Sequence, residues 1–264
     1  DIKNRGILFS LGNIDIVTKG NLVNQSIYEI PHQNRDLTIA EDTIENATIF
    51  AADGLKFRIE KNFTNEGNIL STGDLNIDKV LGFENAGVLT TTKGFFLNYG
   101  KEMENSSDVF VNNGLINADK LYLKKISNFT NNGDIKIAKT INLDDIRNLT
   151  NSGNIFSKQT QKFTLSGGKF ENSGEIKSDE EMKISGGDET ENGGKLRALK
   201  GISISNGAGK FVNEEDANIK AGGKLEISSL GALANKGKIY SEEAGQDSLK
   251  IELNDNVLEN SGEI

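Results

Sequence analysis

The chain has 264 residues, a formal net charge of −9, one histidine and no cysteine. The lack of cysteine excludes disulfides and cysteine-ligated zinc. The acidic balance argues against nucleic acid as the main partner, because phosphate binding needs a basic face. No apolar run is long enough to span a bilayer, so we expect no membrane insertion of this segment. We also expect no cofactor and no metal site.

The first residues already alternate apolar and polar side chains. Ile7, Phe9 and Leu11 are followed by Ile14 and Ile16, which is the period of a half-buried strand. A polar run with Pro31 then interrupts the alternation. Because proline cannot donate to a strand ladder, residues 28–43 are predicted to be an irregular loop or the rim of a coil.

One phrase, apolar-x-Asn-x-Gly-x-apolar, recurs through the rest of the chain. Clear copies start at Phe63, Phe83, Phe110, Phe129, Leu149, Phe170, Leu233 and Leu258. Weaker copies start at Leu22, Ile44, Thr190 and Phe211, and in the last of these Glu215 takes the place of glycine. The usual step of about 20 residues lies in the range of solenoid repeats.

Each phrase is followed by a turn and a second alternating pair, such as Leu75-Asn76-Ile77. No window shows the apolar spacing of a helix. One such unit cannot bury its apolar face alone, so the sequence predicts an all-β, right-handed parallel β-helix with coils of about 20 residues, the hand following the rule for parallel crossovers. We interpret residues 1–264 as a single β-helical repeat segment. Because it stops inside a repeat at Ile264, we expect it to belong to a longer protein.

The repeated asparagine has a structural interpretation. Stacked at one corner of the coils, these side chains would form an amide ladder in which each amide bonds the next. The predicted rungs are Asn65, Asn85, Asn112, Asn131, Asn151, Asn172, Asn235 and Asn260. The glycine two residues later is expected to adopt a backbone conformation that is closed to residues with a Cβ.

Two repeats are longer than the others. The surplus between Phe83 and Phe110 falls at residues 98–108, which we predict to be an inserted loop, and a smaller surplus falls near residues 241–248. Insertions in solenoids are surface loops and sometimes form the binding face. Tyr99, Lys101 and Met103 are therefore the candidate residues for binding a partner.

The Asn-x-Gly-x-Ile phrase, followed by a turn and a Leu-x-Ile pair, resembles the haemagglutinin repeats of filamentous haemagglutinin-like exoproteins. Similar stalks occur in contact-dependent growth-inhibition effectors, which also use two-partner secretion. The likeness covers Leu22 to Ile264 and implies a right-handed β-helix. It also implies export through an outer-membrane two-partner secretion transporter and a fibre on, or shed from, the bacterial surface. A receptor on a host cell or a neighbouring bacterium would be its target. We expect a stalk segment, since the motifs of the family's secretion domain are not found here.

Catalytic chemistry has few candidates in this sequence. Acidic groups occur at Asp144-Asp145, at residues 179–181 and 214–216, and at Glu242-Glu243, all in predicted turns. His32 is the single histidine, which argues against a serine or cysteine triad. We therefore expect a non-enzymatic fibre segment that serves as a stalk or adhesin. A carbohydrate-active β-helix enzyme is the alternative, and it would need three or more functional groups lining one groove. A leucine-rich repeat is disfavoured because its helical half is missing.

Overall fold

The computed structural model describes residues 1–25, 47–99, 108–206, 209–245 and 248–264. These residues form strands and turns, and none of them is helical. The loop predicted at residues 28–43 lies outside the described residues, as does most of the loop predicted at 98–108. Among the described residues, no helix is long and apolar enough to cross a membrane.

Each complete coil contains three strands, which we call the anchor, second and third strands. The separate anchor strands are Ile2–Asn4, Leu22–Asn24, Asn62–Asn65, Gly82–Asn85, Val109–Asn112, Lys169–Asn172, Glu189–Asn192 and Lys210–Asn213. The second strands are Ile7–Ser10, Thr48–Ala51, Asn68–Ser71, Val88–Thr91, Leu115–Ala118, Asp134–Ile137, Asn154–Ser157, Glu175–Ser178, Lys195–Ala198, Asn218–Ala221 and Lys238–Ser241. The separate third strands are Ile14–Thr18, Leu55–Ile59, Leu75–Asp78, Gly94–Asn98, Gln161–Leu165, Met182–Ser185 and Ile202–Ser205. Third and anchor strands merge in Lys120–Asn131, Ile141–Asn151, Leu225–Asn235 and Leu249–Asn260.

Every strand pairs in parallel with its equivalent one coil further along. Phe83 faces Phe110 and Asn85 faces Asn112, for example, so identical positions of the repeat stack directly. The second strands form an 11-stranded sheet, while the anchor and third strands share a 19-stranded sheet. The predicted all-β parallel solenoid with coils of about 20 residues is therefore confirmed. Its right hand remains a prediction from the crossover rule.

Period-two alternation decides which side chains enter the core. In the anchor strand Val109–Asn112, Phe110 and Asn112 are buried while the two valines are partly exposed. Since equivalent positions stack, the buried apolar residues form columns along the rod axis. Phe63, Phe83, Phe110 and Phe129 form one such column, with ring centroids 5.5, 5.1 and 4.9 Å apart in successive pairs. Aromatic pairs at this separation stabilise a core beyond their buried area by about 0.5–1.5 kcal/mol each.

The asparagines form a second column in the core, made of amides rather than apolar groups. Its rungs are Asn4, Asn24, Asn65, Asn85, Asn112, Asn131, Asn151, Asn172, Asn192, Asn213, Asn235 and Asn260. Each Nδ2 donates to the Oδ1 of the next rung at 2.7–2.8 Å. All eight predicted asparagines are rungs. Four further rungs were missed, and Asn4 belongs to a full copy of the phrase, Ile2-x-Asn4-x-Gly6-x-Leu8.

The amide also ties the anchor strand to the turn that follows it. Asn131 Nδ2 donates both to Asn151 Oδ1 at 2.8 Å and to the carbonyl oxygen of Gly133 at 3.0 Å. Its Oδ1 accepts from Asn112, so the buried donors and acceptor of the amide all have partners. An aspartate could not donate these bonds, and a glutamine would be one methylene too long. The repeat therefore requires asparagine here.

The expected reason for the glycine was wrong. The glycines with positive φ among the described residues are Gly167, Gly168, Gly186 and Gly187, and none of these belongs to the repeated phrase. The constraint at Gly133 is a close approach instead. A Cβ there would overlap the carbonyl oxygen of Gly114, its equivalent one coil earlier. The coils thus touch through backbone at this corner.

The start of the weaker copy at Ile44 lies outside the described residues, and the anchor strand Leu22–Asn24 pairs directly with Asn62–Asn65. The weaker copy at Phe211 was aligned wrongly at its glycine position. In the copy at Phe211, Glu215 does not replace the glycine. Asn218 N donates to Gly194 O and Ala217 O accepts from Lys238 N, the bonds made by the glycine position elsewhere. Ala217 therefore holds that position, and residues 215–216 are an insertion.

We expect Asn131→Ala to lower the free energy of unfolding by about 1–3 kcal/mol, because both neighbouring amides lose a buried partner. Urea denaturation of the chain measures this change. Asn132→Ala is the matched control, since Asn132 is the adjacent residue but is exposed. Its effect should stay below about 0.5 kcal/mol. Equal effects of the two substitutions would contradict a stabilising ladder.

Gly133→Ala should destabilise the chain by about 1–3 kcal/mol, since the added methyl forces two coils apart at a backbone contact. Gly6→Ala is the control, because a Cβ on Gly6 would have no atom within 4 Å. Thermal denaturation followed by circular dichroism measures the melting temperatures of the two variants, and that of Gly133→Ala should be lower. A melting temperature for Gly133→Ala as high as that of Gly6→Ala would rule out the close approach.

Candidate functional site

The loop predicted to bind a partner is described only at its base. Tyr99 is buried, 3% exposed, and its hydroxyl donates to the carbonyl oxygen of Val109 at 2.6 Å. Burial, with a smaller contribution from the charge of Asp108, raises the pKa of the Tyr99 phenol. The side chain thus packs in the core and closes the base of the loop, which leaves it little surface for a partner. Lys101 and Met103 lie outside the described residues.

Several acidic groups singled out in the sequence face lysines of a neighbouring coil. Asp144 pairs with Lys124 at 3.2 Å, Glu214 pairs with Lys236 at 2.7 Å, and Glu180 pairs with Lys200. Their side chains remain partly exposed, so each pair contributes little to stability. No group of three or more metal-ligating side chains occurs among the described residues.

Side chains on the outer surface also stack along the axis, because equivalent positions lie one strand spacing apart. Phe96 and Tyr122 stack with centroids 5.3 Å apart and ring planes within 2°. Lys177 lies over the ring of Phe156 at 5.3 Å from its centroid. The two stacked rings cover each other's faces, so they offer mainly their edges to a ligand.

The corner between third and anchor strands departs from regular strand geometry. Lys125 and Asp145 adopt positive φ at equivalent positions of two successive coils, 60° and 59°. In the next coil the pairing register shifts between Leu143 and Ile146, and positive φ occurs instead at Gly167 and Gly168, 115° and 66°. Left-handed backbone bends the chain sharply and turns the side chains of Lys125 and Asp145 away from the core. Strained backbone of this kind is often found at binding sites.

At this corner the rod carries a depression of about 640 Å³, which we call the corner notch. Its lining residues are Lys125, Asp145, Arg147, Asn148, Ser166, Gly167, Gly168 and Asp188. The two glycines place no side chain in it, and the groups around them are charged or polar. A volume of several hundred Å³ is within the usual range of small-ligand sites.

Hydrogen bonds fix one side of the corner notch. Asn148 donates to Asn128 Oδ1 at 3.0 Å and accepts from the backbone N–H of Lys169 at 3.0 Å. Asp188 Oδ2 accepts from the backbone N–H of Gly168 at 2.9 Å. Lys125, Asp145 and Arg147 form no ion pair with another described residue. Two cations and one carboxylate are thus free to contact a ligand.

The sequence alone did not single out the corner notch. Asp145 was singled out only as half of a carboxylate pair in a predicted turn. Only the register of the coils brings Lys125, Arg147 and Asp188 to one corner. Aligning the repeats at their step would have shown that Lys125 and Asp145 are equivalent, although not the depression.

Comparison of this chain with protein-family models, curated proteins and solved structures found no match.

Proposed function

We propose that this chain is a structural and binding segment of a secreted bacterial surface fibre, acting as a stalk or adhesin in cell attachment or toxin delivery. The observation that carries the proposal is the amide ladder, which continues without a break from Asn4 to Asn260. A stalk needs length and stiffness rather than a reactive group. Stacked coils with a continuous buried ladder supply both.

The dimensions of the coil stack fit a spacer. The second strands form one sheet of 11 strands, and strands lie roughly 4.8 Å apart, so the rod is about 50 Å long. Each coil contacts only its neighbours, and further coils extend the rod without changing its design. A longer fibre of the same repeat would project its end proportionally further from the cell.

The proposed route to the surface is export through an outer-membrane two-partner secretion transporter. The resemblance of the repeats to haemagglutinin repeats supports this partner, and the composition is compatible with it. A chain without cysteine cannot be locked by a disulfide in the oxidising periplasm, so it can pass the outer membrane unfolded. The proposed target is a surface receptor on a host cell or a neighbouring bacterium.

A cysteine pair tests this export route. Fused behind a two-partner secretion domain and co-expressed with its transporter, the chain should reach the cell surface. The double variant Asn132→Cys/Ser152→Cys should stay in the periplasm, because Ser152 Oγ lies 2.7 Å from Asn132 Oδ1 and a disulfide would tie two coils together. Surface immunoblotting with and without a reductant in the medium measures the block and its relief.

Each single cysteine variant controls for the substitutions themselves and should be exported normally. Retention of the cysteine-free chain in the periplasm would contradict the proposed route. Equal export of the double variant with its disulfide intact would contradict passage as an unfolded chain.

Removal of one coil tests the stalk design. Asn128 and Asn148 are equivalent in register, so deleting residues 129–148 joins matching positions. The distance between spin labels at Lys56→Cys and Ser203→Cys should shorten by roughly 4.8 Å, one strand spacing, while the fold is kept. Pulsed electron spin resonance measures that distance. Deleting only residues 129–138 is the control, and it should disrupt the fold because half a coil breaks the register.

The alternative, a carbohydrate-active enzyme on the same coil, is favoured by one observation. The corner notch gathers Asp145 and Asp188 with Arg147 and Lys125. Incubation with neutral and acidic polysaccharides, followed by an assay for new reducing ends, tests it. Release of products that is lost in Asp145→Asn or Asp188→Asn would favour the enzyme over the stalk.

A further inference from the structure

We propose that the corner notch is a binding site for a saccharide, held by hydrogen bonds to its hydroxyl groups. The inference rests on the proposed adhesin function and names the chemistry of a receptor. Three observations support it: the shape of the notch, the charged side chains in it that form no ion pair, and the equal number of acidic and basic side chains that line it.

The shape comes from the absence of side chains in a single coil. A Cβ on Gly167 would meet only Asp188 Oδ2, at 3.4 Å, so the space in front of this residue is open. A Cβ on Gly168 would overlap the carbonyl oxygen of Arg147 and the amide of Asn148. The notch therefore has a backbone floor at Gly167, and its wall at Gly168 is closely packed against the preceding coil.

The basic side chains of the notch lack the ion pairs that neighbouring lysines form. Lys124 pairs with Asp144 at 3.2 Å, and Lys169 pairs with Glu191 at 2.5 Å. Glu191 in turn raises the pKa of Lys169 through this hydrogen bond. Arg147 and Lys125 have no such ion pair among the described residues, although both line the notch. Unpaired charged groups that converge on one depression are available to a ligand.

The balance of charges points to a polyhydroxylated ligand. A simple anion at Arg147 and Lys125 would also face Asp145 and Asp188, and a simple cation would face the two basic groups. A sugar hydroxyl can donate a hydrogen bond to a carboxylate and accept one from a lysine or arginine side chain, so a saccharide can bind both kinds of group together. Asp188 uses Oδ2 for the N–H of Gly168, which leaves Oδ1 for a hydroxyl. No aromatic ring lines the notch, so binding would depend on hydrogen bonds rather than on stacking.

Screening of the purified chain against an array of neutral, N-acetylated and acidic oligosaccharides tests the proposal. The best binder is then titrated by isothermal calorimetry. Arg147→Ala should weaken binding at least tenfold, because the guanidinium donates charge-assisted hydrogen bonds. Asp188→Asn should weaken it severalfold while keeping an oxygen that can accept from Gly168. Both variants should keep the circular dichroism spectrum and melting temperature of the parent chain.

Arg58→Ala and Asp15→Asn are the matched controls, since both residues are exposed on third strands and neither lines the notch. Binding unchanged in both controls and weakened in both notch variants supports the proposal. Binding to no oligosaccharide on the array, or loss that is equal in controls and notch variants, overturns it. Neither outcome bears on export, so a chain that reaches the surface without binding sugars would remain a stalk.

Discussion

The amide of a buried asparagine must find partners for two donors and one acceptor, and this requirement organises the molecule. A solitary amide in the core would cost about 1–3 kcal/mol in unmade hydrogen bonds. Stacked at the strand spacing, each amide satisfies the next, and its remaining N–H bonds the turn that follows the anchor strand. Slipping one coil by a single residue would break the ladder and turn the apolar columns outward. The ladder therefore specifies the register of the whole stack.

The architecture could be predicted because asparagine, glycine and apolar residues recur together at one step. The amide ladder between coils could be predicted for the same reason, whereas details set by backbone contacts and by the exact pairing of coils could not. The glycine is required by the backbone of a neighbouring coil, which no single repeat reveals. Ala217 was hidden behind the two inserted residues, and Asn4 stood in a copy that was not recognised. Charged residues such as Lys125 and Asp188 are distant in sequence, and only the observed pairing brings them to the corner notch.

Stiffness and binding depend on different parts of the rod, the interior and the outer surface. Its interior is uniform, with the same few residue types repeated from coil to coil, and its outer surface and corners vary. Positive backbone angles at Lys125 and Asp145, followed by two glycines, change one corner without disturbing the ladder at another. A solenoid can thus acquire a local binding surface at one corner while its stiffness is preserved.

The ladder also has a direction. In every rung the nitrogen donates toward the carboxyl-terminal end of the rod and the oxygen accepts from the other side. The amide dipoles consequently add rather than cancel, and each bond polarises the next. The two ends of the column are chemically unlike, one offering an acceptor and the other a donor. An aspartate could accept from the column at its donor end but could not donate to it at the other, so the two ends call for different capping residues.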